Sequence, residues 1–174
     1  MTEPLDLPFD PIARAGELWE TNFGPAAAMR VATSVMRAQQ LLLSRFDRLL
    51  KPYNLTFARY EALVLLHFSR AGELPLSIIG ERLMVHPTSV TNTVDRLVAQ
   101  GFVERRPNPR DGRGVLARLT AKGRSTVKRA TADLMADGFG LTTYDGDQLE
   151  ELFGLLRELR LAAGDFAVEG SRTQ

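Results

Sequence analysis

Across Gly101 the apolar period of the chain changes, and that change constrains the fold more than any other stretch. Before it, HPTSVTNTVDRLVAQG places Val90, Val94, Leu97 and Val98 at spacings of three and four, one edge of a helix. After it, FVERR and VLARLT read as two strands joined by PNPRDGRG, a turn dense in proline and glycine. Pro87 suits the first helical turn, where its missing N–H needs no partner. Gly101 is expected to provide the left-handed stop.

Upstream the period is helical throughout. In LSIIGERLMV, Ser77 is placed to start a short helix that buries Ile78, Ile79, Leu83 and Val85. Thr56 stands at an N-cap position ahead of Tyr60, Leu63, Val64, Leu66 and His67, with Gly72 as the expected stop. From Ala26 to Leu50 the residues Ala28, Ala32, Val35, Gln39, Leu42, Phe46 and Leu49 form one stripe, which Met36, Leu43 and Leu50 widen until it could face both its own domain and a second subunit. Residues 1–25, rich in proline and acid, read as an arm with one short helix around Ile12 to Thr21, and Trp19 is expected to pack against the body or a dimer partner. Beyond the hairpin, Ala121 to Asp137 and Asp145 to Ala163 are helical in pattern.

The net charge of +1 hides an asymmetry. From Arg96 to Ala130 ten cations stand against Glu104 and Asp111, a local +8, whereas Thr131 to Gln174 carries a local −6. A polyanion is therefore to be sought at the basic stretch. With no cysteine and only His67 and His86 as histidines, disulfides, thiolate metal sites and the common catalytic triads are not assembled, and no metal, cofactor or catalytic residue is expected. An acidic start without a signal pattern, and no apolar run of ~18–20 residues, predict a cytoplasmic protein without a membrane partner.

Two helices joined by a tight turn, the second rich in hydroxyl and amide side chains, form a helix-turn-helix whose second helix suits the major groove of DNA. Thr88, Ser89 and Thr91 can meet phosphates or base edges, and Asn92 can pair with adenine through its amide. Phosphates would also meet the helix starts near Ser77 and Pro87. The hairpin adds an arm for the minor groove, with Arg113 as the candidate tip. Asp111 is expected to hold that arginine in one rotamer, and Arg105, Arg106 and Arg110 are expected to anchor phosphates.

The run LPLSIIGERLMVHPTSVTNTVDRLVAQGFVERRPNPRDGRG, continuing into VLARLTAKGR, is similar to the core of MarR-type regulators. The resemblance is most specific in VTNTVDRLVAQGFVERR, in the wing's Asp-x-Arg, met by Asp111 and Arg113, and in LTAKGR. It implies a mainly α fold: a winged helix-turn-helix with a two-stranded basic wing, whose N- and C-terminal helices form a dimerisation domain. The domain would cover 26–165, with the DNA-binding part at about 53–120, dimerisation helices at about 26–50 and 121–165, and a tail at 166–174. By position the resemblance puts Thr88, Ser89, Thr91, Asn92 and Arg96 at or near double-stranded DNA and Arg113 in the wing. His86 departs from the acidic cap that relatives often carry before the proline, and we read it as a peripheral DNA contact ahead of a capping role.

Many such proteins are homodimeric repressors released by small aromatic or phenolic effectors. By analogy Tyr53, Phe57, Arg59, Tyr60 and His67 lie in the effector region, yet buried aromatics on a helix are usually core, and the ligand-binding residues stay unassigned. The alternative function is a winged-helix module that binds protein without DNA. It would call for a neutral or apolar wing, whereas five arginines lie between Arg105 and Arg118.

Overall fold

A computed structural model describes residues 7–109, 111 and 114–167. The chain divides into two compact units, one through Phe139 and one from Gly140 onward. The first contains α1 (Pro11–Asn22), α2 (Ala27–Leu50), α3 (Phe57–Phe68), β1 (Glu73–Pro75), α4 (Leu76–Leu83), α5 (Pro87–Ala99), β2 (Val103–Pro107), β3 (Val115–Leu119) and α6 (Ala121–Ala136). The second contains α7 (Gly146–Ala162), which opens with a capping box: Asp145 Oδ1 accepts the Gln148 N–H at 2.9 Å and Gln148 Oε1 accepts the Asp145 N–H at 3.1 Å. No helix among the described residues is long and apolar enough to cross a membrane.

The core of the first unit is built from the apolar edges of α3, α5 and α6, with Phe46 and Leu50 from the last turns of α2. Leu63, Leu66, Val94, Leu97 and Leu134 are fully buried there. Phe46, Phe57 and Tyr60 pack ring against ring, with centroids 4.7 and 5.9 Å apart in succession. Earlier in α2 the apolar residues lose their cover: Met36 and Leu43 of the stripe are exposed, as are Val31 and Leu41 beside it. On α1, capped by Asp10, Trp19 is 40% exposed with its ring 5.0 Å from that of Phe23.

The sheet has three strands where the sequence predicts two. β3 lies between β1 and β2, antiparallel to both, so that Arg118 stands opposite Glu73 on one side and Glu104 on the other. β1 escapes a reading by periodicity because it is three residues long and ends in proline. Three helix ends also differ from expectation. α3 stops at Phe68, and Gly72 takes its left-handed conformation in the following turn, where its carbonyl accepts the Leu119 N–H. α4 begins at Leu76, one residue before Ser77, on Pro75 with no side-chain cap. Thr56 sits at the N-cap of α3 without bonding a backbone N–H; Asp47 Oδ1 of α2 accepts the Phe57 N–H instead, at 2.7 Å. Gly101 does close α5 in a left-handed conformation.

Candidate nucleic-acid interface

Helix α5 is seated by Val90, Val94 and Leu97, each at most 2% exposed, and by Pro87 at its first position. A helix anchored on those three positions must turn its residues at 88, 92 and 96 away from the core. Thr88, Asn92 and Arg96 are exposed along that outer line, with Ser89, Thr91 and Asp95 exposed beside it. Ser89 and Thr93 flank the line on the side of α3, where they line a cleft with Ala58 and Glu61. Thr91 flanks it on the side of α4 and shares a cleft of about 550 Å³ with Ser77, Gly80, Met84 and Pro87. Ser77 and Thr91 are thus brought together, away from Asn92.

His86 is the N-cap of α5: its Nδ1 accepts the Thr88 N–H at 3.3 Å, which makes Nδ1 the unprotonated ring nitrogen in this contact. The other end of α5 is held by two side chains. Lys122 Nζ donates to the Gln100 carbonyl at 2.8 Å, a cation on the negative end of the helix, and Gln100 Nε2 donates to the Asn54 carbonyl at 2.7 Å.

The basic stretch divides by what its members touch. Arg105 Nη2 lies 2.7 Å from Asp95 Oδ1, and Arg106 Nη2 lies 2.8 Å from Glu104 Oε1. Arg118 sits 4.0 Å from Glu73 and 3.8 Å from Glu104. Arg124 approaches His67 Nδ1 at 3.4 Å, and the guanidinium of Arg129 lies over the Tyr53 ring. Arg96 remains exposed with no ion-pair partner among the described residues. Arg110 and Arg113 lie outside the described residues. Asp111, exposed in the wing turn, accepts the Gly114 N–H at its carbonyl and donates its own N–H to the Asn108 carbonyl.

Of the residues assigned by analogy to an effector region, Phe57 and Tyr60 belong to the aromatic core, and the Tyr60 hydroxyl lies 2.9 Å from Thr131 Oγ1. The Tyr53 hydroxyl donates to Asp133 Oδ2 at 2.5 Å, a bond that raises its pKa. Arg59 goes elsewhere: it lines a cleft with Asn92 and Arg96. Sequence reasoning missed that neighbourhood. The only signal for it was a cation in the first turn of α3, and nothing local ties that cation to a helix that begins at Pro87.

The sequence profile of the MarR family matches residues 53–114. HTH-type transcriptional regulator YhbI of Bacillus subtilis is 32% identical over 117 residues, which cover 66% of this chain and 75% of that protein. Among solved structures, Sco5413, a MarR family transcriptional regulator from Streptomyces coelicolor, is 63% identical with a TM-score of 0.76, over 81% of this chain and 98% of that one. Sco3205, a MarR family regulator from the same organism solved in complex with DNA, shares the fold at 22% identity with a TM-score of 0.70, over 83% of this chain and 91% of that one. With its helix-turn-helix, its wing and these likenesses, the chain belongs to the MarR family of DNA-binding transcriptional regulators and is not an enzyme.

Proposed function

We propose that the protein is a homodimeric, sequence-specific repressor, working in the cytoplasm, that places its two α5 helices in successive major grooves of a pseudo-palindromic site, ~34 Å apart. The observation that carries this reading is the outer line of α5: hydroxyl, amide and guanidinium groups exposed on a helix whose inner edge is locked in the core. In this reading Thr88, Ser89, Thr91 and Asn92 meet base edges or nearby phosphates, and Ser77 and Arg96 meet phosphates. His86 fixes the start of α5 through Nδ1 and, exposed there, is a peripheral DNA contact. Arg105, Arg106 and Arg110 anchor phosphates and Arg113 reaches the minor groove, with Asp111 orienting it.

What supports a dimer is uncovered apolar surface. Val31 is 62% and Met36 59% exposed on α2, while on α7 Phe153, Leu155 and Leu159 are each more than half exposed. Faces of this kind call for a partner, and a second copy supplies one at every site in a symmetric assembly. Repression follows where the bound site overlaps a promoter. We extend the proposal to release by a small aromatic or phenolic effector, which would have to bind better to a dimer with another spacing of its helices, since equal affinity for both forms shifts nothing.

The experiment is selection from a random duplex pool by the purified protein near ~0.15 M salt, where non-specific binding is weakened. An enriched inverted repeat is the expected outcome. No enrichment, with weak binding abolished by added salt, would favour a module that binds protein. A monomer at micromolar concentration, with DNA affinity independent of protein concentration, would remove the dimer.

A further inference from the structure

Between the start of α3 and the outer face of α5 lies a cleft of about 410 Å³ lined by Thr56, Arg59, Asn92, Thr93 and Arg96. Two arginines line it and no acidic residue does. Neither arginine has an ion-pair partner among the described residues. Like charges in one cleft repel, so the arrangement is electrostatically incomplete until an anion joins it.

The local architecture prepares Arg59 for that task. Its Nε donates to Thr56 Oγ1 at 3.2 Å, which fixes the plane of the guanidinium. Thr56 is available because, although it stands at the N-cap of α3, its side chain accepts no backbone N–H of that helix. With Nε engaged, the outer N–H groups of Arg59 remain, and they form the fork that matches two oxygens of a phosphate. Thr93 brings a hydroxyl to the same cleft.

We propose that this cleft takes a phosphate group of the DNA backbone, gripped jointly by Arg59 and Arg96. The inference rests on the DNA-binding role proposed above and adds to it a residue from α3, outside the helix-turn-helix pair. Backbone phosphate is the favoured source because Asn92 and Arg96 belong to the exposed outer line of α5, the face offered to a duplex. Free inorganic phosphate carries the same chemistry, and the experiment separates the two.

Wild type, Arg59→Ala, Arg96→Ala and the double variant are titrated with a random-sequence duplex across a salt series, and separately with inorganic phosphate, with melting curves to establish folding. Each single substitution is expected to lower duplex affinity about tenfold, alike for random and selected sequences. Because the two arginines share one phosphate, the slope of log affinity against log salt should fall by about 0.9 in the double variant instead of about 1.8. Arg59→Lys, which keeps the charge and loses the fork, should fall between wild type and Arg59→Ala. If Arg59→Ala melts early, Arg59→Gln and Arg59→Lys carry the same comparison.

Duplex affinity and salt slope unchanged in Arg59→Ala would overturn the proposal, and loss of phosphate binding in that variant would then mark a site for free phosphate only. A wild-type protein that binds no duplex would instead overturn the DNA-binding role on which the inference stands.

Discussion

Arg105 Nη2 stands 2.7 Å from Asp95 Oδ1, and this contact ties the first strand of the wing to the outer face of α5. The carboxylate is 58% exposed and the guanidinium 35%, so the pair contributes little to stability, of order 0–1 kcal/mol. Its effect is on charge: the pair removes one cation from the wing and places one anion beside Asn92 and Arg96, where a phosphate backbone would approach.

Asp95→Asn should therefore raise affinity for DNA. Losing the anion and releasing Arg105 both favour phosphate, and the gain should be about threefold to tenfold on random duplex, with a steeper salt dependence and a nearly unchanged melting temperature. Titration at several salt concentrations checks this. An affinity that falls would mean that Asp95 holds the wing in the geometry DNA needs, and that this outweighs its charge.

At the base of the wing, Gly123 sits in the first turn of α6, its N–H donating to Thr120 Oγ1 at 3.0 Å while the same hydroxyl donates to the Gly101 carbonyl at 2.8 Å. A Cβ here would come 2.2 Å from the Phe102 carbonyl oxygen and 2.8 Å from Leu119 Cδ1. Glycine to alanine within a helix is ordinarily worth ~1 kcal/mol of gain. Here the obstruction is backbone, which cannot swing aside, and overpacking of this kind costs ~1–3 kcal/mol or more. Gly123→Ala should lower unfolding stability by roughly 2 kcal/mol in urea titration. A stabilised variant would show that the Phe102 carbonyl has room to move.

Glu61, half-buried on α3 beside Ile79, Ser89 and Thr93, has its carboxyl pushed up from the ordinary 4.5 by burial. A carboxyl with a raised folded pKa binds more protons folded than unfolded in the interval between the two values. Its contribution is thus fully present below 4.5 and lost as pH rises through the folded value. Glu61→Gln, neutral at every pH, should be more stable than wild type near neutrality, with the difference closing toward pH 4. Urea midpoints measured over that range decide it, and a difference that does not change with pH would assign the effect to packing.

Reading the chain without its fold recovers what is encoded locally. The stripe of α2, the inner edge of α5, Pro87 and Gly101 all act through neighbours within a turn or two, so spacing and residue type suffice to place them. The site is less legible because charge counts do not say which charges meet. The ten cations from Arg96 to Ala130 read as one basic surface. Folded, Arg105, Arg106 and Arg118 face carboxylates, Lys122 holds the end of α5, and Arg129 lies on Tyr53. Asp47 capping α3 and Arg59 sharing a cleft with Arg96 are likewise products of tertiary packing, and no periodicity announces them.

The cleft beside α5 also sharpens what Asn92 does. Its amide borders the cleft assigned to phosphate, yet it stands on the outer line between Thr88 and Arg96, where the floor of a major groove would lie. The two roles differ in what a truncation removes. A phosphate contact is lost equally on every sequence, whereas a bidentate contact to adenine is lost only where adenine is present, at about 1–3 kcal/mol. Since Arg59 and Arg96 already supply the charge for the phosphate, Asn92 is left to discriminate. Asn92→Ala should weaken binding to the selected site by that amount, leave random-duplex affinity within about twofold, and flatten base preference at one position in each half-site. Equal losses on both duplexes would make Asn92 a third phosphate ligand and move base reading to Thr88 and Thr91.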